Sequence, residues 1–180
     1  MLFPVPDFSK SWTTCSDSSD ALPLDDETLV VSTDKKDLPH NYGTFEGKNT
    51  MKAVFPKGSY IPSKDPPGGL SFYASGPEEV DLTTAKEATF GYSVFFPDDF
   101  EYVKGGKLPG LWWIQKVKGS TGIRRIEQKF GEHWMDSDEG RIRGIIMQTF
   151  LEVSCSPDYA SPKDQSIYFG DFSMAITEEL

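Results

Sequence analysis

Residues 88–100, ATFGYSVFFPDDF, constrain the fold more than any other part of the chain. Phe90, Tyr92, Val94 and Phe96 fall on one side of an extended backbone, and Gly91, Ser93 and Phe95 on the other. That is the two-residue period of a β-strand. Pro97-Asp98-Asp99 closes it, because proline lacks the N–H that a ladder needs and aspartate favours turns. The pattern recurs in NTMKAVFPKGSYIP, where Met51, Ala53 and Phe55 alternate with Lys52 and Val54 until Pro56. LSFYAS sets Leu70 and Phe72 on one face, and GRIRGIIMQTFLEV is a long β-rich run. SIYFGDFSMAI holds two alternating pieces out of phase, Ile167 and Phe169 against Phe172, Met174 and Ile176. Gly170-Asp171 at their junction fits a β-bulge or a two-residue turn.

One stretch departs from this pattern. In KGSTGIRRIEQKFGEHWMDSDEG, Ile123, Ile126, Phe130 and Trp134 recur at a helical period, with Ser120 or Thr121 as N-cap and Gly131 as a weak point. A short helical insert near 121–134 is expected. No internal repeat, low-complexity tract or βαβ alternation occurs. The 29 Gly and Pro residues are scattered through 180 positions, enough chain for one domain with its own core. The expected fold is all-β, an antiparallel β-sandwich of jelly-roll type. Residues 1–40 are polar, acidic and punctuated by proline, and read as an N-terminal arm. Within that arm Leu29-Val30-Val31 reads as one short strand, and 41–180 form the domain.

The net charge is −10, but Tyr102 to Lys163 carry ten Lys and Arg against seven acids, a local +3 that leaves −13 elsewhere. An acidic remainder argues against nucleic acid as a partner, which calls for a basic footprint. A local basic patch still suits one acidic ligand. No apolar run approaches the ~20 residues of a membrane-spanning helix, so no membrane partner is expected. MLFPVPDFSKSW lacks the basic start and continuous apolar core of a signal peptide. Cys15 and Cys155 are equally compatible with a bridge between the two ends and with two free thiols.

Familiar chemical signatures are absent: no phosphate-binding glycine loop, no CxxC, no HExxH and no Gly-x-Ser-x-Gly. His40 and His133 stand apart, and neither forms part of a converging ligand set, so no metal and no cofactor are expected. DSDEG lacks the spacing of a calcium loop and reads as a solvated turn. KGGKLPGL, residues 104–111, is different. Gly105-Gly106 permit positive φ and close backbone approach, and Pro109 stiffens the exit. Lys107 is thereby a positive charge on a rigid platform. Such a charge is suited to neutralising a carboxylate, so that a base can remove an adjacent C–H proton. The plain alternative is a tight turn whose lysine points to solvent.

NTMKAVFPKGSY, GGLSFYAS, YSVFFPDDFEYVKGGKLPGLW, GRIRGIIMQTF and ASPKDQSIYFGDFSMAIT together resemble polysaccharide lyase family 14. These blocks cover about residues 49–113 and 140–177. The resemblance implies a β-jelly roll whose concave face holds an acidic polysaccharide, alginate or glucuronan, and β-elimination as the reaction. It implies Lys107 as a catalytic group and an extracellular location. Gln148, Arg143 and Tyr92 are substrate-binding candidates by their residue types and places in the strand pattern, and a monomer is expected. Residues 113–139 diverge from the family pattern: a Ser-x-Arg motif is not found at the required place and Tyr-x-Tyr occurs nowhere. Tyr73, Tyr92, Tyr102 and His133 remain as residues able to supply a base, none of them in a matching motif. By strict alternation either Arg141 and Arg143 or Gln148 would line the groove, but not both. Two readings follow, a lyase and a non-catalytic carbohydrate-binding β-sandwich, the latter with Trp112 or Trp113 stacking on sugar rings.

Overall fold

The structure, a computed structural model, describes residues 7–32, 40–116, 123–126, 141–151 and 156–180, with 112–116 and 123–126 at the level of the backbone. Nine strands are assigned among them: β1 Lys10–Thr13, β2 Asn41–Phe45, β3 Lys48–Phe55, β4 Leu70–Ala74, β5 Ala85–Phe95, β6 Gly110–Lys116, β7 Ile123–Ile126, β8 Arg141–Thr149 and β9 Gln165–Glu179. They form two antiparallel sheets that enclose one apolar core, as the alternation predicts. One sheet runs β4-β8-β6-β7. In the other, β9 pairs with β5 along nearly its whole length, while β3 and β1 share its opposite edge end to end. β2 follows β3 through a hairpin.

The core is built from the alternating residues. Met51, Ala53 and Phe55 of β3, Leu70 and Phe72 of β4, and Ile145 and Met147 of β8 are all buried in it. Both phases of β9 reach the same core, since Ile167, Phe169, Phe172, Met174 and Ile176 are all buried. A bulge makes this possible. Gly91 pairs with Ser173 and Ser93 with Gly170, so Asp171 and Phe172 together oppose Tyr92. Asp171 takes a φ of 53°, and the strand continues, so the junction is a bulge and not a turn. Each fully buried phenylalanine contributes on the order of 2 kcal/mol in transfer from water.

Three expectations are corrected. Residues 123–126 form strand β7, paired with β6, where the helical period predicted helix; the rest of the 121–134 insert lies outside the described residues. Ile123 and Ile126 are β-branched, and pairing with a neighbouring strand outweighs a three-residue spacing that four residues barely define. The arm expected over 1–40 contains β1, whose Trp12 enters the core through pairing with β9. Leu29-Val30-Val31 is not a strand. Asp25 caps a short helix, α1 (Asp26–Leu29), by accepting from the Thr28 N–H at 2.7 Å, and Val31 makes a single bridge to Ala74.

Candidate functional site

The loop that carries Lys107 is held from two directions. Its N–H donates to the Phe150 carbonyl at 2.8 Å, continuing the β6–β8 pairing one step beyond the strands. Gly106 lies so close to β8 that a Cβ there would stand 2.5 Å from the Phe150 carbonyl oxygen. Close approach is therefore what this glycine supplies; neither Gly105 nor Gly106 has a positive φ, and Gly105 has open space around it. From the facing sheet, Tyr92 donates its hydroxyl to the Pro109 carbonyl at 2.9 Å.

The Lys107 ammonium donates to Gln148 Oε1 at 2.7 Å and lies 5.8 Å from the centre of the Phe150 ring. Gln148 Nε2 donates in turn to Ser71 Oγ at 3.0 Å. Ser71 and Gln148 are cross-strand partners on β4 and β8, while their neighbours Phe72 and Met147 point into the core. Lys107, Gln148 and Ser71 thus form one row across the outer face of the β4-β8-β6 sheet. Both ends of the Gln148 amide are committed, so it fixes the ammonium and not merely contacts it. Sequence reasoning placed Lys107 and Gln148 but missed Ser71. The signal was present, because Leu70 and Phe72 on one face leave Ser71 on the other.

Arg143 lies on this outer face too, contrary to the either-or expectation. Trp112 pairs with Gly144 and Trp113 with Ile142, which leaves Arg143 as an extra residue, and Gly144 sits at φ 151°. The bulge shifts the phase, so Ile142 joins Ile145 and Met147 in the core and Arg143 is exposed. It does not join the row, however. Arg143 stands five residues from Gln148, at the end of β8 where its charge acts on Asp81. Tyr92 is not on the face at all. Its ring packs against Phe169 and Phe172 between the sheets, and burial pushes its hydroxyl up to about 12. It acts as a strut under the loop. Tyr73 shares the face of Ser71 and pairs with Ile146, next along β8 from Gln148 on that side.

The other residues singled out lie elsewhere. His40 packs on Phe72 at 4.5 Å and is 2.7 Å from Asp26 Oδ1, which also accepts from the Tyr42 hydroxyl at 2.6 Å. This closes one side of the sandwich. Burial, then the neighbouring Asp26 carboxylate, pushes the Tyr42 hydroxyl far up. Cys15 is a buried free thiol; Cys155, His133 and the Trp112 and Trp113 side chains lie outside the described residues. Among the described residues no three His, Cys, Asp or Glu side chains converge as metal ligands.

The sequence profile of the family described as Polysaccharide lyase 14 matches residues 44–135, just over half of the chain. The chain belongs to this family. The match takes in the last two residues of β2, all of β3 to β7 and the whole Lys107 loop. Two solved structures share the fold. One is the marine PL-14 alginate lyase of Aplysia kurodai, with 15% identity and a TM-score of 0.59 over 76% of this chain and 87% of that one. The other is the alginate lyase vAL-1 of a Chlorella virus, with 19% identity and a TM-score of 0.53 over 76% of this chain and 88% of that one. Among curated proteins no sequence matches the chain.

Proposed function

We propose that the protein depolymerises a uronate-containing polysaccharide, alginate or glucuronan, by β-elimination at the outer face of the β4-β8-β6 sheet. The observation that carries this reading is the Lys107 ammonium, held by Gln148 on that face in a chain of polysaccharide lyase 14. In the reaction a base removes the C5 proton and the C–H electrons form a C4=C5 double bond. The C4–O bond breaks, and its oxygen leaves with a proton. Negative charge builds on the C5 carboxylate as the proton departs. A fixed ammonium stabilises that charge without reorganising. Its hydrogen bond to Gln148 and the loop's anchorage at Phe150 supply the rigidity.

A base must come within hydrogen-bond reach of the proton it removes. We assign this part to Tyr73, which stands two residue pairs along the sheet from the Ser71–Gln148 pair and on the same face. Diagonal neighbours of this kind are about 7–8 Å apart, a span that a bound sugar ring bridges. The experiment is incubation with alginate and with glucuronan, following near-ultraviolet absorbance from the unsaturated product. Lys107→Ala is expected to lower the rate at least about 100-fold and Tyr73→Phe by a similar factor. Product from neither polymer overturns the lyase reading. Polymer binding without product instead supports a non-catalytic carbohydrate-binding protein using the same lysine.

A further inference from the structure

Between β5 and the Lys107 loop the chain exposes two aromatic rings seated on a buried one. Phe96, Phe100 and Tyr102 lie within 4.9–5.2 Å of one another, centre to centre. Their exposures differ sharply. Phe100 is 8% exposed and belongs to the core, whereas Phe96 is 38% and Tyr102 is 70% exposed, with Val103 beside them at 41%. Phe100 therefore anchors the loop, and Tyr102 gains little from burial. Isolated surface apolar residues are commonplace, but rings in mutual contact with open faces mark a binding surface.

The ledge is also rigid. Gln165 accepts from the Glu101 N–H at 2.9 Å and donates to the Glu101 carbonyl at 3.2 Å, clamping the backbone immediately before Tyr102. On the far side of Tyr102, Lys104 stands 3.3 Å from Asp158 and 5.3 Å from the centre of the Tyr159 ring. Lys163 lies 3.0 Å from Asp99 Oδ2 and 3.5 Å from Glu101 Oε1. Asp99, Glu101 and Asp158 thus each lie within 3.5 Å of a lysine, which weakens their part of the field that would repel an anionic chain. Tyr102 lies five positions before Lys107, so their Cα atoms are at most about 18 Å apart along one continuous loop.

We propose that Tyr102 and Phe96, seated on Phe100, form an outer subsite that stacks the apolar face of a sugar ring. That ring belongs to the same polyuronate chain whose reacting unit lies at Lys107. The inference rests on the lyase reading and extends it, assigning grip on a long polymer to rings rather than to charge. The preformed ring needs no reordering on binding, which limits the entropic cost.

The test is native-gel retardation by alginate and by glucuronan, compared with binding of the shortest oligouronate that the protein holds. Tyr102→Ala is expected to weaken polymer binding about fivefold to tenfold, the scale of one ring contact. Its effect on the short oligomer should stay below about twofold. Tyr102→Phe should bind as the natural protein does, since the stacking face is kept. Phe96→Ala provides an independent variant with the same expected direction. Unchanged polymer binding in both alanine variants, alongside lost binding in Lys107→Ala, overturns the ledge and leaves the lyase reading standing. Equal losses for short and long ligands also overturn it, because an outer subsite cannot be felt by a ligand that does not reach it. If the natural protein is retarded by neither polymer, the functional reading falls and the ledge with it.

Discussion

Asp171 is the residue on which the centre of the β9 sheet depends. It sits in the left-handed region at the point where pairing with β3 ends and pairing with β1 begins. Its Oδ2 accepts from Ser93 Oγ at 2.7 Å and from the Lys48 ammonium at 3.1 Å. Burial alone would raise its carboxyl; the hydrogen bonds from Ser93 and Lys48, with the charge of Lys48, hold it below the usual 3.8. A carboxylate depressed in the folded state contributes stability above its unfolded value, and that contribution is lost as pH falls. Asp171→Asn should therefore be less stable than the natural protein at pH 7. The gap in urea unfolding should close as pH falls below about 4. Asp171→Ala is expected to cost about 2–4 kcal/mol at pH 7, combining the lost Ser93 hydrogen bond to a buried carboxylate with an alanine forced to positive φ. At this scale the sequence was partly legible. Lys107 stood out because glycine and proline frame it, whereas Gln148 was one of the two alternatives that strict alternation left open. The Lys107–Gln148–Ser71 row depends on register, which alternation within a single strand does not specify.

The elements were readable where two-residue alternation ran unbroken, as in β3, β4 and β5, and misread where a bulge resets the phase. Gly144 is the clearest case. Strict alternation puts Arg143 with Ile145, but one extra residue in β8 reverses that and brings Arg143 to the face of Gln148. β1 was missed for a different reason. With Trp12 as its one large apolar side chain, it is a strand only because β9 offers an edge. The loop before β6 gives a sharp test of how elements position chemistry. Gly106→Ala would bring a Cβ to 2.5 Å from the Phe150 carbonyl oxygen, so the loop must shift and the Lys107 N–H bond must lengthen. Lyase activity is expected to fall about 10-fold to 100-fold, since small misplacements of a reacting group are costly. Gly105→Ala meets nothing within 4 Å and should change neither activity nor melting temperature appreciably. Equal effects of the two substitutions would contradict the close-approach account.

Across the whole molecule, the two sheets are joined through the core and through the Tyr92 hydroxyl, which reaches from β5 to the Pro109 carbonyl beneath the lysine loop. Removing that hydroxyl tests whether the facing sheet supports the site. Tyr92→Phe is expected to cost about 1 kcal/mol in thermal or urea unfolding and to loosen the loop, raising KM more than it lowers kcat. An unchanged KM would assign the strut to stability alone.

The position of β9 has a consequence for how the molecule is made. It is the partner of β1, β3 and β5, and it follows all three in the chain. While a ribosome is still extending the protein, those earlier strands have emerged with their apolar faces and ladder edges unpaired. Their shared partner is complete only when residue 179 is out. Nascent chains in that interval expose the surfaces most prone to aggregation, and chaperone dependence during synthesis is the expected result. Ribosome-stalled chains ending before Gln165 should be digested by protease throughout, whereas those with Glu179 clear of the exit tunnel should become resistant in a single step.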